Sequence, residues 1–173
     1  MSNTLLDMIY DKAELIGKIN IQENRLVFDT HIRRISGQIS RSSFIDMGDI
    51  VYFMIVGDSL KKIGKAAGQQ GWYGRMNEYG KTRYSKTGKD TWDATTRKIY
   101  NYMIHNYLDV DREIKIYAVR TPKQTVSFTN PLTGDTVIEQ IETAGAVEQS
   151  LIQLAYKQGY SLDFCREKEL LND

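Results

Sequence analysis

The stretch that most constrains this chain is Ile50-Val51-Tyr52-Phe53-Met54-Ile55-Val56-Gly57-Asp58-Ser59-Leu60-Lys61-Lys62-Ile63-Gly64. Val51 to Ile55 are all apolar or β-favouring, which is too apolar for an exposed face and predicts a buried strand. Gly57-Asp58 predicts a tight turn, and Leu60 to Gly64 the returning strand of a hairpin. The pairing would put Tyr52 and Lys62 close enough to face each other. Lys65 follows on the loop and Arg75 on a short helix beyond it. A phenol among three cations makes a poor core and a good place for a phosphate.

This arrangement resembles the GIY-YIG nuclease family, named for two tripeptides on a hairpin. Ile50-Val51-Tyr52 stands at the first tripeptide and Lys62-Ile63-Gly64 at the second. Ile50 departs from the family's glycine, and Lys62 from its tyrosine, as in the small restriction endonucleases of the family. Arg75 matches the arginine of the following helix, Tyr79 the histidine or tyrosine one turn later, and Glu148 a metal-binding glutamate on a later helix. The resemblance covers roughly residues 48 to 160.

It implies an α/β (α+β) fold: a small central mixed or antiparallel sheet of about three strands, flanked by helices, with an extra β-hairpin. Residues 1–47 would form an N-terminal helical extension packed on the core. Residues 48–173 would form the nuclease core with a C-terminal helical tail, in a single domain overall. The implied activity is metal-dependent endonucleolytic cleavage of double-stranded DNA, with Mg²⁺ or Mn²⁺ as cofactor. A site-specific restriction enzyme acting as a homodimer is the reading that fits the tripeptides best. A low-specificity phage or repair nuclease, and a DNA-binding protein that has lost cleavage, are the alternatives.

Composition sets the outer limits. With 173 residues, 41% hydrophobic and 26% charged, the chain is long enough for one domain with a real core. No apolar run approaches the ~18 residues of a membrane span, and the N-terminus lacks a basic-then-apolar signal pattern. Cys165 is the single cysteine, so no internal disulfide forms and a reducing cytoplasm is expected. It reads as a packed thiol.

The net charge of +1 is uninformative, but its distribution is not. Residues 57–100 carry ten Lys/Arg against four acids, and residues 139–173 carry seven acids against three bases. A basic segment in a nearly neutral chain is the footprint of a phosphate-contacting face. For Lys81 to Lys89 alone, a solvated loop is the plainer reading.

Hydrophobic spacing predicts an amphipathic helix over residues 3–17, capped by Asn3 or Thr4 and stopped by Gly17. Lys18 to Phe28 is ambiguous: Ile19 and Ile21 alternate like a strand, and Glu23-Asn24 offers a turn into Leu26-Val27-Phe28. Ile32, Ile35 and Ile39 predict a second short helix. This N-terminal part could pad the core, form a dimer contact, or reach DNA through Arg25, Arg33, Arg34 and Arg41, with His31 a surface residue. Beyond the hairpin, Trp72 to Tyr79 make two helical turns closed by Gly80. Lys81 to Thr91 reads as exposed and mobile. Thr91 or Asp93 caps a helix to about Leu108, with core stripes at Ile99, Met103, Tyr107 and at Tyr100, Ile104, Leu108. His105 lies off both. Glu113 to Val119 is a strand, and Gln124–Phe128 with Thr136–Ile141 flank a turn in a second hairpin. A last helix starts at Thr143 or Ala144 and runs to Gly159, and a short tail packs through Leu162, Phe164 and Leu170.

The resemblance gives each candidate a role, and each has a plain structural alternative. Tyr52 would be general base or water-orienting group. Its free pKa near ~10 is too high for a base at neutral pH, and the Lys62 charge would stabilise the phenolate. As an ordinary strand tyrosine it would simply pack its ring. Arg75 would clamp the phosphate through its planar fork, or pair with Glu78 on the same helix. Tyr79 shares a helical face with Arg75 and would donate to the phosphate, or pack. Lys65 would sit near the phosphate, or be a solvated loop lysine. Glu148 would hold the metal, with Glu142 and Glu139 as competitors, or merely benefit from the helix dipole. Gly64-Lys65 is no P-loop, because six residues separate Gly57 from Gly64 and Ala66 follows the lysine.

Overall fold

The computed structural model describes residues 4–22, 25–29, 49–68, 71–106 and 109–165. Strand β3 (Ile50–Val56) explains why its sequence lacks polar positions: all seven residues are buried. Ile50, Tyr52, Met54 and Val56 enter one hydrophobic cluster, and Val51, Phe53 and Ile55 enter another. A strand covered on both faces loses the usual polar alternation. It turns at Gly57-Asp58 into β4 (Ser59–Ala66), and Gly57 at φ 53 supplies the left-handed residue that the tight turn needs.

The remaining elements place this hairpin at one side of a five-stranded antiparallel sheet. In chain order they are α1 (Leu5–Lys12), β1 (Glu14–Gln22), β2 (Arg25–Asp29), β3, β4, α2 (Gly71–Tyr79), α3 (Ala94–His105), β5 (Ile114–Arg120), β6 (Lys123–Thr129), β7 (Thr136–Glu142) and α4 (Ala144–Lys157). The strand order is β2-β1-β5-β3-β4, so β2 and β4 are the two edge strands. The expected central strands β3, β4 and β5 are present and lie side by side. Two further strands extend the sheet.

Those two strands come from the N-terminal segment. The predicted helix over residues 3–17 starts where expected, with Thr4 and Asp7 forming a reciprocal capping box, but ends at Lys12. From Glu14 the chain pairs with β5, which buries Ile16 and Ile19 to 1% and 0% exposure. That burial outweighs helix propensity. Among the described residues the expected N-terminal helical extension is therefore one helix followed by a hairpin built into the sheet. The expected second helix at Ile32–Ile39, with His31, Arg33, Arg34 and Arg41, lies outside the described residues.

Helices cover both faces. Trp72 and Tyr79 of α2 and Ile99, Tyr100 and Met103 of α3 share a cluster with Tyr52 and Met54. Leu5 and Ile9 of α1 and Ile152 and Ala155 of α4 share one with Phe53 and Ile55. Cys165 is a packed thiol there, 1% exposed, with its Sγ 3.7 Å from the Ile63 carbonyl. Leu162 and Phe164 pack the tail as expected. Strands β6 and β7 form a separate hairpin with Phe128, Leu132 and Ile138 exposed. No helix among the described residues is long and apolar enough to cross a membrane.

The stretch Lys81–Thr91, expected to be loose, is tied down instead. The Arg83 carbonyl accepts from the Thr91 amide at 2.8 Å, and Asp90 lies 3.5 Å from Arg83 Nε and 3.2 Å from Arg97 Nη2. The buried Trp92 indole donates to the Lys81 carbonyl at 2.7 Å. These pairings join residues that turn-forming composition treats as independent.

Candidate active site

Strand β3 delivers Tyr52 inward, and its directly opposed neighbour on β4 is Gly64. A Cβ on Gly64 would lie 2.4 Å from both Cζ and Oη of Tyr52, so the phenol ring rests on the space that glycine leaves. Lys62 sits opposite Met54, one step further along the same face. Tyr52 and Lys62 do come close on the paired strands, but as diagonal neighbours, and the phenol occupies the cross-strand position over Gly64. Lys62 is nonetheless 3% exposed and stays beside the ring in one cavity.

Helix α2 brings Arg75 and Tyr79. The Tyr79 hydroxyl lies 2.7 Å from that of Tyr52. The pair is packed by Trp72, whose ring centroid is 5.0 Å from Tyr52, and by Phe28 of β2, stacked 6.2 Å from Tyr79. Arg75, half-buried, donates to Glu78 at 2.7 Å and to the Lys65 carbonyl at 3.2 Å. Both the helix pairing and an orientation into the cavity are therefore realised.

Helix α4 begins beside edge strand β4. A Cβ at Gly145 would meet Lys65 Nζ at 2.9 Å, so this glycine makes room for the ammonium near the helix start. One turn on stands Glu148, half-buried. Its competitors Glu139 and Glu142 are on β7, exposed, and do not line the same cavity.

Tyr52, Lys62, Gly64, Lys65, Arg75, Tyr79, Asp93, Thr95 and Glu148 line one cavity of about 150 Å³. All six sequence-chosen side chains are among them. Two neighbouring cavities of about 370 and 280 Å³ also reach Arg75, and they are lined by Asn77, Glu78, Lys81 and Thr91 among others. Sequence reasoning assigned Asp93 only to a helix cap. It does cap α3, accepting from the Thr96 amide at 2.7 Å, and it also borders this cavity. Nothing in its local sequence separates a cap from a cap that faces a site.

The electrostatics correct one expectation. Tyr52 is pushed well above its ordinary pKa of 10.0, first by burial and next by the adjacent Tyr79, with Arg75 opposing and Glu148 adding to the rise. The Lys62 charge lowers the pKa of Tyr79, which burial still raises overall. Tyr52 is a neutral phenol rather than a ready phenolate. For Arg75 burial works against the charge, but Tyr52, Tyr79, Glu78 and Glu148 together raise its pKa above the ordinary value.

Among the described residues no three His, Cys, Asp or Glu side chains gather as a metal-binding cluster. The cavity offers the carboxylates of Glu148 and Asp93. That set does not suit a closed zinc site. It does suit Mg²⁺ held by one carboxylate, since this ion keeps several waters and takes phosphate oxygens.

No protein-family model matches the chain, and no curated protein matches its sequence. Among solved structures it is similar to a restriction endonuclease HPY188I in complex with product DNA, at 16% identity over 92% of this chain and 88% of that one, TM-score 0.44. It is also similar to a mutant of bacteriophage T4 EndoII, at 17% identity over 88% of this chain and 95% of that one, TM-score 0.48. At these scores the functional reading has to come from the cavity's own residues.

Proposed function

We propose that the chain is a metal-dependent DNA endonuclease of GIY-YIG type that hydrolyses phosphodiester bonds. One observation carries the reading: three cations, two phenols and a carboxylate from β3, β4, α2 and α4 line a single polar cavity of about 150 Å³. That volume admits one phosphate group and a few waters, at roughly 30 Å³ per water. The adjoining cavities along Arg75, Lys81 and Thr91 offer room for the strand that carries the phosphate.

Arg75, Lys62 and Lys65 neutralise the phosphate and the charge that grows on its oxygens as the bond to the leaving oxygen breaks. The Arg75 fork is already oriented by Glu78 and the Lys65 carbonyl, so little ordering remains for binding. Tyr52, a neutral phenol in an intact hydrogen bond to Tyr79, orients the attacking water. Between Tyr52's two named roles, burial favours this one over proton abstraction. Glu148 would hold Mg²⁺ or Mn²⁺. Bound there, the ion polarises the phosphate and eases departure of the leaving oxygen.

A restriction-type enzyme working as a dimer is the specific form we favour, because cutting both strands needs two such sites. Incubating purified protein with diverse duplex DNA and Mg²⁺, then mapping the new ends, tests this. Recurrent ends at one sequence support the restriction form, and scattered nicks support a phage or repair nuclease of loose specificity. Binding without any ends supports a DNA-binding protein that has lost cleavage.

A further inference from the structure

Lys62 is buried to 3% exposure in a cavity that also holds Lys65 and Arg75. An ammonium taken out of water next to two other cations needs a carboxylate beside it. The cavity's carboxylates are Asp93 and Glu148. Lys62 and Asp93 are both among the charges that act on the Tyr79 hydroxyl, and Arg75 and Glu148 are among those that act on the Tyr52 hydroxyl. Lys62 and Asp93 thus share the surroundings of Tyr79 in the cavity that all of them line, with the two hydroxyls 2.7 Å apart.

Asp93 is also firmly fixed. Its Oδ1 accepts from the Thr96 amide at 2.7 Å and the Thr96 hydroxyl at 2.8 Å, which locks the side chain to the first turn of α3. Thr95 and Thr96 behind it are each 2% exposed. A rigid acid at this position can hold a flexible lysine in one place.

We propose that Asp93 is a positioning residue of the site: beyond capping α3, its carboxylate pairs with Lys62 and holds the ammonium in the cavity where the phosphate would bind. The pairing stands on the geometry above. Its consequence for catalysis rests on the phosphodiesterase reading.

The two duties of Asp93 can be separated, because asparagine caps a helix about as well as aspartate but carries no charge. A double-mutant cycle of Asp93→Asn and Lys62→Met, followed by urea unfolding, therefore isolates the pair. Asp93→Asn is expected to lower the unfolding free energy in the native background by an amount equivalent to about a tenfold change in the equilibrium constant. In the Lys62→Met background the change should be under about threefold. Helix content by circular dichroism should stay the same in all four proteins. Equal losses in the two backgrounds would overturn the proposal.

Mg²⁺-dependent cleavage of a duplex by the full chain supplies the second readout. Asp93→Asn should lower kcat at least about tenfold with KM within about twofold, and Asp93→Glu should recover part of the loss. Native kcat in Asp93→Asn would overturn the positioning role. If the unmutated protein fails to cut while the cycle shows coupling, the Asp93–Lys62 pair stands and the nuclease reading falls instead.

Discussion

The hydroxyl oxygens of Tyr52 and Tyr79 lie 2.7 Å apart although 27 residues separate them in sequence. Either hydroxyl can donate to the other, and burial raises the pKa of both. A donor and an acceptor from a strand and a helix meet where little water enters, and the site's chemistry is arranged around that contact.

Removing one partner should be costlier than removing both. Tyr52→Phe leaves the Tyr79 hydroxyl buried without its partner, a loss of about 1–3 kcal/mol. Adding Tyr79→Phe should then cost less than the single changes predict. Urea denaturation of the three variants gives the comparison, and strict additivity would mean the contact is energetically empty.

The same pair predicts a pH dependence of stability. Both phenols titrate above 10.0 in the folded chain, whereas an unfolded tyrosine titrates near ~10. The folded state thus binds more protons than the unfolded state in that window, so stability falls as pH rises. Their contribution is complete below pH ~10 and is lost as pH climbs through the folded values. The urea midpoint should drop above pH ~10, and drop less in the Tyr52→Phe/Tyr79→Phe double variant.

Two glycines should behave oppositely. Gly64→Ala would place a methyl 2.4 Å from the Tyr52 ring and hydroxyl, which must then move. Overpacking of this kind costs about 1–3 kcal/mol, and displacing a reacting group by about 1 Å lowers cleavage on the order of a hundredfold. Gly145→Ala meets only the end of the Lys65 side chain at 2.9 Å. It should leave the helix as stable or more stable by about 0.5–1 kcal/mol, with a smaller loss of rate. Paired denaturation and single-turnover assays check both.

Much of the basic segment is occupied within the fold. Lys61 pairs with Asp163 at 2.6 Å, Arg83 and Arg97 converge on Asp90, and Lys98 donates to the Cys165 carbonyl at 2.9 Å. Lys65, Lys81, Lys86 and Lys89 remain exposed. If these four meet phosphates, log affinity for DNA should fall against log salt with a slope of about −3 to −4. A flat response would detach DNA from this face.

What the sequence displayed and what it hid follow from distance along the chain. The β3–β4 hairpin was legible because burial on both faces removes polar alternation and Gly57-Asp58 marks the turn. The set Tyr52, Lys62, Lys65, Arg75, Tyr79 and Glu148, which line one cavity, was named through the resemblance to the GIY-YIG family rather than from local pattern. The N-terminal strands were half-legible, since β1 gains its character from β5, about a hundred residues away. For the same reason nothing predicted that Phe28 would pack against Tyr79. Asp93 looked like a cap because it is one. The protonation of Tyr52 was misjudged because its depth of burial, which sequence does not print, outweighs the cations around it.

The most direct test is Mg²⁺-dependent cleavage of supercoiled plasmid by the unmutated chain, Arg75→Ala and Glu148→Gln, with DNA binding measured in parallel in Ca²⁺. The account predicts nicked or linear product from the unmutated chain. It predicts a loss on the order of a hundredfold or more in each variant, with folding intact and binding largely kept. Intact plasmid with the unmutated protein, or cutting by both variants at its rate, would contradict it.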